Sequence, residues 1–591
     1  MQGTSADGSL PRLGADLLLV HPPAFHEFRN RRDLYFPFMG TSGDIPITPL
    51  YEVFPLGFKQ LRRYLGARGH DVRIVNLSTL LLRFPEMDLP TFARSLDVKL
   101  LGLDLHWMVT VQGCLAVAQE LKRLRPDIPI VLGGISATYY ASEFIQLPQV
   151  DMVMRGYDTL EPMDRLLGAL RAGGDPSGVP NLLWKTRQGQ VRDGGFTHQP
   201  AYMGCGIDWS DSVEDSTTSL LPIRELLSNQ NTGCGHSCGW CGGSREAFQR
   251  ICGQAHALVQ KPVEEVAFEF QSVKGLKDAD KFHVYSIGTY NETNGRLRAL
   301  LDQVRDAGVK SVNYEQFQLT SEDLVRRMVA ANAHTTITLS PESHDREVAR
   351  RAGRGVYGNE EMEAWIERAL DLGIGRVDLW YFIGMPGQDA ASVAGTVEYC
   401  HRLMERFQGH AVTPMICPMM PFLDPASSFF EEPEAHGYRL FARSAEDHRR
   451  LMTRASPVHR MNYETRWLDR ASIFELGLQA IRDVMRGKAS QGIFSGPRVE
   501  QFAARIDDAV EFTRAVTEAE AIADPLDRAR ALEGLGDEIA RRNETLLTGG
   551  VMDQIYPLRR QIGGRWVDEL GWKEEALRAW SAKRLDPASA G

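Results

Sequence analysis

The chain is short of cysteine, of excess basic charge and of long apolar runs. Eight cysteines in 591 residues are too few for a disulfide framework, and five of them (Cys114, Cys205, Cys252, Cys400, Cys417) are scattered. That is the usage of a reducing compartment with one metal site. Lys and Arg number 67 against 77 Asp and Glu, a net charge of −10, and no block of the sequence is basic. Nucleic acid is therefore not expected as the main partner. No apolar run is long enough to span a bilayer, and Met1 to Gly14 lack the basic-then-apolar order of a signal peptide, which predicts a cytoplasmic protein without a transmembrane segment. Internal repeats and low-complexity tracts are also missing.

What is present is an ordinary globular composition, 43% apolar and 24% charged, in a chain too long for one core. Two to four domains are expected. After a flexible head (1–14), five apolar segments alternate with helical patterns: Asp16–Pro23, Val72–Leu77, Val98–Asp104, Ile128–Gly134 and Val150–Gly156. This predicts a doubly wound parallel sheet over 15–172, Rossmann- or flavodoxin-like, with ligands bound beyond the carboxyl ends of its strands. A Gly-, Pro-, Asp- and Ser-rich connector with a short β-like piece, Asn181–Lys185, is expected over 173–228. A second alternation over 229–430 suggests a full or partial (β/α) TIM-like barrel. From 431 to 591 the pattern is mostly helical.

Cys234, Cys238 and Cys241 stand in the spacing C-x3-C-x2-C, in the run Asn231-Thr-Gly-Cys-Gly-His-Ser-Cys-Gly-Trp-Cys-Gly-Gly243. Three thiolates without a fourth suit a [4Fe–4S] cluster with one iron open to a small molecule. A zinc site with Cys252 as fourth ligand is the alternative, although zinc knuckles usually carry two C-x2-C pairs and only one is present.

The triad, with Trp240 before its last cysteine, resembles the signature of the radical S-adenosylmethionine (SAM) enzymes. Leu339-Ser-Pro-Glu-Ser343 resembles their strand-end SAM motif, Arg354-Gly355 the basic-Gly element after it, and Ile383-Gly-Met-Pro-Gly387 their G-x-P-G turn. The resemblance covers roughly residues 230–430. It implies that Cys234, Cys238 and Cys241 hold the cluster and that Trp240, Ser340, Glu342 and Gly384 contact SAM. A helix-start carboxylate is the bland reading of Glu342, and turn formation that of Gly384.

The N-terminal part resembles the cobalamin-binding domain of class B radical SAM methylases. Pro22-Pro23, Leu56-Gly57, Gly133-Gly134 and Gly156 carry the likeness, which implies a corrin over the carboxyl edge of the sheet at Pro23, Gly57, Gly133, Gly134 and Gly156. The D-x-H-x-x-G motif of histidine-ligated cobalamin domains is lacking: the position after the first strand reads His21-Pro-Pro-Ala-Phe-His-Glu. His106 or Trp107, after the third strand, would then face the lower side of the corrin, or be plain loop residues. The segment Phe25 to Tyr51 either covers the corrin, shapes a substrate pocket or packs as a surface loop.

Together these resemblances imply a cobalamin-dependent radical SAM enzyme, most simply a C-methyltransferase using a 5′-deoxyadenosyl radical and methylcobalamin. The substrate would be a small molecule or peptide, and the electron would come from an external flavodoxin- or ferredoxin-type donor. Three alternatives remain: rearrangement, cyclisation or C–C bond formation with the same cofactors; a radical enzyme whose N-terminal domain no longer binds cobalamin; and a non-catalytic corrinoid or metal sensor.

Overall fold

The computed structural model describes residues 13–37, 39–41, 45–47, 55–83, 87–210, 225–253, 257–276, 279, 282–288, 295–419, 422–493, 496–549, 559–562 and 565–568. The flexible head expected over 1–14 and the tail beyond 568 lie largely outside them.

The five apolar segments form the expected parallel strands: β1 (Leu17–His21), β2 (Val72–Asn76), β3 (Leu101–Asp104), β4 (Ile130–Gly133) and β5 (Met152–Met154). Their spatial order is β2-β1-β3-β4-β5. The chain thus reverses its direction of winding between β1 and β3. The runs are uniformly apolar because helices cover both faces. α1 (Leu56–Gly66) and α3 (Leu160–Arg171) pack on one face with Leu17, Leu19 and Ile74; α2 (Val111–Leu124) packs on the other with Leu18, Val20 and Leu103. Each such fully buried aliphatic side chain contributes about 1.5–3 kcal/mol.

Two boundaries differ from the sequence reading. Val98–Asp104 is not one strand: Leu96–Val98 pairs with Leu13–Ala15, and β3 begins only at Leu101. In the described part of the connector the β-like piece at Asn181–Lys185 is a strand, and it has neighbours the sequence does not announce. β6 (Leu182–Lys185) and β7 (Val191–Asp193) add antiparallel strands beside β5. The turn between them closes through Thr186 and Gln190, so a stretch rich in loop residues is a hairpin. β8 (Glu225–Asn229), also placed in the connector, is the first strand of the barrel.

The barrel strands continue as β9 (His283–Ile287), β10 (Ser311–Gln316), β11 (His334–Glu342), β12 (Arg376–Ile383) and β13 (Val412–Pro418). Among the described residues they form a six-stranded, all-parallel sheet in sequence order, a partial barrel. Helices follow the strands as expected: α4 (Arg245–Cys252), α5 (Val263–Val273), α6 (Arg296–Ala307), α7 (Glu322–Ala331), α8 (Arg346–Arg351), α9 (Asn359–Asp371) and α10 (Ala390–Arg406). Ser321 and Asp389 cap α7 and α10 by accepting from the third residue of each helix.

The C-terminal region is mostly helical: α11 (Arg470–Ser490) lies along β13 and α10, followed by α12 (Gly496–Ala521) and α13 (Pro525–Gly549). The aromatic segment after β1 crosses to these helices. Phe36 N–H donates to Asn543 Oδ1 at 2.9 Å, and Asn543 Nδ2 donates to the Leu34 carbonyl at 2.7 Å. The buried Arg460 guanidinium lies over the rings of Phe25 and Phe36, 5.2 and 4.9 Å from their centres. A hairpin, Met39–Thr41 with Ile45–Ile47, then runs beside β13. Up to Pro37, therefore, the segment is a packed arm joining the first domain to the last helices; the residues just before Tyr51 lie outside the described set.

Candidate functional site

At the carboxyl edge of the N-terminal sheet, the loops after β3, β4 and β5 are stitched together. Leu105 N–H donates to the Gly133 carbonyl (2.7 Å), Ser136 Oγ to the His106 carbonyl (2.8 Å), Thr138 Oγ1 to the Gly134 carbonyl (2.9 Å), and Gly156 N–H to Thr138 Oγ1 (3.0 Å). Gly134 has φ +113°, and a Cβ there would stand 2.8 Å from the Leu105 carbonyl, so only glycine fits. Gly133 has open space where its Cβ would be. His106 and Trp107 are half-buried, their rings edge to face at 4.7 Å. Burial lowers the His106 pKa, so its ring is neutral near pH 7.

Thus His106, Trp107, Gly133, Gly134 and Gly156 converge. Pro23 is buried under α2, with its carbonyl where a Gly113 Cβ would go, and Gly57 opens α1 in open space; among the described residues neither joins this stitching. Sequence reasoning passed over the buried pair at the reversal point: His21 Nδ1 lies 2.8 Å from Asp104 Oδ1, linking the ends of β1 and β3.

The cysteine loop sits at the carboxyl end of β8. Asn231–Gly233 pairs with Leu258–Gln260, and Cys234 N–H then donates to the Ala257 carbonyl. The loop is clamped from two sides. Gly239 N–H donates to the Ala352 carbonyl (2.9 Å), beyond α8. On the other side Gly239 accepts from Phe429 N–H (2.8 Å), Gly242 N–H donates to Asp424 Oδ2 (2.9 Å), and Trp240 accepts from Asp424 N–H. Residues 424–431 therefore form a strap over the loop, and nothing in the sequence around Asp424 announces it. Burial pushes the Asp424 pKa up to about 6.

The three sulfurs lie close enough to influence one another electrostatically. His236 N–H points at Cys234 Sγ (3.4 Å) and Gly243 N–H at Cys241 Sγ (3.3 Å). Burial pushes the Cys238 thiol up to about 12 and Cys241 well above its ordinary range, so a cation among them is needed to hold them as thiolates. Soft thiolates with amide N–H donors at the sulfurs fit an iron–sulfur cluster. Among the described residues, no three His, Cys, Asp or Glu side chains are arranged around a single ion. Cys252 ends α4 among Phe248, Met203 and Val259, and burial alone raises its pKa to about 12, with no influence from the triad.

The four expected SAM contacts fall into two groups. Trp240 packs its indole on Phe382 (5.1 Å) and donates its N–H to Glu342 Oε2 (2.9 Å). Glu342 ends β11, fully buried, in the left-handed region at φ +70°. Its other oxygen, Oε1, stands 3.0 Å from Arg354 Nε, an ion pair off hydrogen-bond alignment. Glu342 is therefore not a helix-start carboxylate; Asp345 caps α8 instead. Ser340 lines a cleft with Phe317, Ser343, Arg354 and Tyr357. Gly384 lies apart from it, after β12. It has φ +104°, a Cβ there would stand 2.6 Å from the Tyr463 hydroxyl, and its carbonyl accepts from Tyr438 OH (2.8 Å), so the C-terminal region covers this turn.

Strand alternation makes the barrel lumen polar. Tyr314, Gln316 and Tyr381 meet the helices, through Asn332, Met328 of α7 and Tyr399 of α10. Asn313, Thr336 and Arg376 lie in register on the opposite face, with Glu315, Thr338, Asp378 and Thr413 in the next row. Asn313 Nδ2, Thr336 Oγ1 and Trp380 Nε1 on this face are buried without protein partners. Unpaired buried groups of this kind suit a polar ligand or water.

Residues 45–163 match the B12 binding domain family. The fold as a whole resembles TsrM from Kitasatospora setae, a radical SAM methyltransferase whose structure has cobalamin and a [4Fe–4S] cluster bound: TM-score 0.53 and 15% identity, over 91% of this chain and 100% of that one. It also resembles OxsB, a cobalamin-dependent SAM radical enzyme with aqua-cobalamin and SAM bound: TM-score 0.52 and 11% identity, over 97% and 84%. The chain shares its overall fold with these two enzymes. At these identities the likeness is one of fold. No curated protein matches the sequence significantly.

Within this radical SAM fold the two edges share one support. Tyr139 OH, in the turn after Gly134, donates to Glu431 Oε1 (2.6 Å) at the end of the strap that holds the cysteine loop. Tyr140 OH reaches the Arg443 carbonyl (2.7 Å), and Glu143 accepts from Ala445 N–H (2.9 Å).

Proposed function

We propose that this protein is a cobalamin-dependent radical SAM enzyme and a C-methyltransferase. The observation that carries the reading is the shared strap: the Gly133–Gly134 edge, where a corrin would lie, and the cysteine loop are braced by the same residues, 424–431. When bound, the cluster, SAM and cobalamin supply one-electron cleavage of SAM and a transferable methyl group.

The chain's own residues have separate tasks. Cys234, Cys238 and Cys241 hold the cluster, with the amides of His236 and Gly243 directed at two of the sulfurs. Ser340 and the backbone at Gly384 border the SAM site. Glu342, with Oε2 taken by the Trp240 N–H and Oε1 paired in charge with Arg354 but free of a hydrogen bond, stands beside that site. His106, Trp107, Gly133, Gly134 and Gly156 border the corrin, and the polar lumen face receives a small-molecule or peptide substrate. Among the described residues no helix is long and apolar enough to cross a membrane. The working setting we infer is the reducing cytoplasm, with an external flavodoxin- or ferredoxin-type donor.

The test is anaerobic purification from cobalamin-fed cells, metal analysis, and incubation with SAM and reductant. About four irons and one cobalt per chain are expected, with both S-adenosylhomocysteine and 5′-deoxyadenosine among the products. Cys238→Ala should abolish 5′-deoxyadenosine formation and lose most of the iron. 5′-Deoxyadenosine without S-adenosylhomocysteine would move the assignment to rearrangement or cyclisation. Iron without cobalt, even after cobalamin reconstitution, would end the methyltransferase reading.

A further inference from the structure

Arg354 is a buried cation beside the cysteine loop. Gly353 has φ +92°, and a Cβ on it would stand 2.2 Å from the Ser237 carbonyl oxygen and 2.9 Å from Cys238 Cα, so the backbone at 353 lies directly on the loop. The next side chain, Arg354, is 9% exposed. Its guanidinium stands 4.3 Å over the Phe317 ring, and its charge bears on Cys238, Cys234 and His236. On its far side is Glu342, whose second oxygen takes the Trp240 N–H, and Trp240 belongs to the same loop. The circuit therefore runs from the loop backbone at Ser237 and Cys238 to Gly353 and Arg354, to Glu342, to Trp240 and back to the loop. Glu342 holds its place in a left-handed conformation at φ +70°, the kind of backbone strain that gathers at functional sites.

We propose that Arg354 and Glu342 form a charge pair that sets the reduction potential of the cluster. This rests on the cluster reading above. When the external donor passes one electron to the cluster, the cluster and its thiolates gain one unit of negative charge. A guanidinium beside the cysteine loop, shielded from water, stabilises that reduced form and raises the potential. The Glu342 carboxylate, one layer further away, offsets part of the effect. The two residues therefore act in opposite directions. A pair with only a structural role has no reason to do so.

The test is an EPR-monitored reductive titration of the full-length, anaerobically reconstituted protein and three variants, after iron and sulfide analysis of each. Arg354→Gln should lower the midpoint potential and Glu342→Gln should raise it. Each shift should reach at least tenfold in the reduction equilibrium, 59 mV for one electron. Arg354→Lys, which keeps the charge, should stay nearer the wild type than Arg354→Gln does. Unmoved potentials, or shifts of one sign in both charge-removing variants, would overturn the pair's role while leaving the cluster reading intact. If Arg354→Gln loses its iron, Glu342→Gln decides alone: a rise supports the proposal, and an unmoved or lower potential overturns it. Wild-type protein without iron and sulfide would overturn the cluster reading and the pair's role together.

Discussion

At the scale of single residues, buried charges divide into those that serve the cysteine loop and those that hold the molecule together. Glu520 on α12 belongs to the second group. Burial opposes its charge, but His459 (2.8 Å), the amides of Ser456 and Ala455, and Arg454 (2.7 Å) outweigh that and bring its pKa down to about 2. The folded pKa lies below the ordinary 4.5, so the stabilisation is complete above pH 4.5 and is lost as pH falls towards 2. It amounts to about 3 kcal/mol at most. Glu520→Gln should lower stability at pH 7 by up to that amount and flatten the fall in Tm between pH 5 and 2. Equal acid sensitivity in both proteins would count against this account.

Residue identity in the sequence told more about the cysteines than about their surroundings. The spacing of Cys234, Cys238 and Cys241 was legible because consecutive ligands must share a loop. Glu342 was legible as a residue that matters, but its partners were not, since Trp240 and Arg354 come from opposite sides of it in the chain. Asp424 carried no signal at all: its role depends on Gly242, 182 residues away.

At the scale of elements, strands and helices with strong apolar periodicity were readable to within a few residues, because in a parallel sheet each strand is buried along its whole length. Strands β7 and β8 were harder to read than β6. Edge strands are short and half polar, and β7 is exposed throughout, so periodicity fades where one side has no neighbour. The cysteine loop has no periodicity, and glycine gives it its close contacts. A Cβ on Gly239 would stand 2.2 Å from the Phe429 ring, whereas one on Gly235 would meet only Leu258, at 3.9 Å. Gly239→Ala should displace the strap, destabilise the fold by about 1–3 kcal/mol and reduce bound iron. Gly235→Ala should do neither. Thermal melts and iron analysis of the two variants test this, and equal iron retention would argue against the strap.

At the scale of the whole molecule, three regions that read separately in sequence are interlocked. The arm after β1 is the clearest case, because its partners lie at the far end of the described chain. Replacing Asn543 with Leu would leave Phe36 N–H and the Leu34 carbonyl unpaired, costing about 2–4 kcal/mol. Asn543→Leu should lower the urea midpoint by a corresponding amount and open the arm near Arg31–Asp33 to limited proteolysis. An arm as resistant as in the wild type would show that the Arg460 stack alone holds it.

That contact also bears on biosynthesis. Phe36 and Asn543 are 507 residues apart. At translation rates of roughly 5–20 residues per second, an interval on the order of 25–100 s separates the emergence of the arm from that of its partner. Throughout that time Tyr35, buried in the finished protein against Ala455, Phe512, Val516 and Ile539, lacks the surface that covers it. The arm therefore completes its packing only after the helices that close over it have left the ribosome.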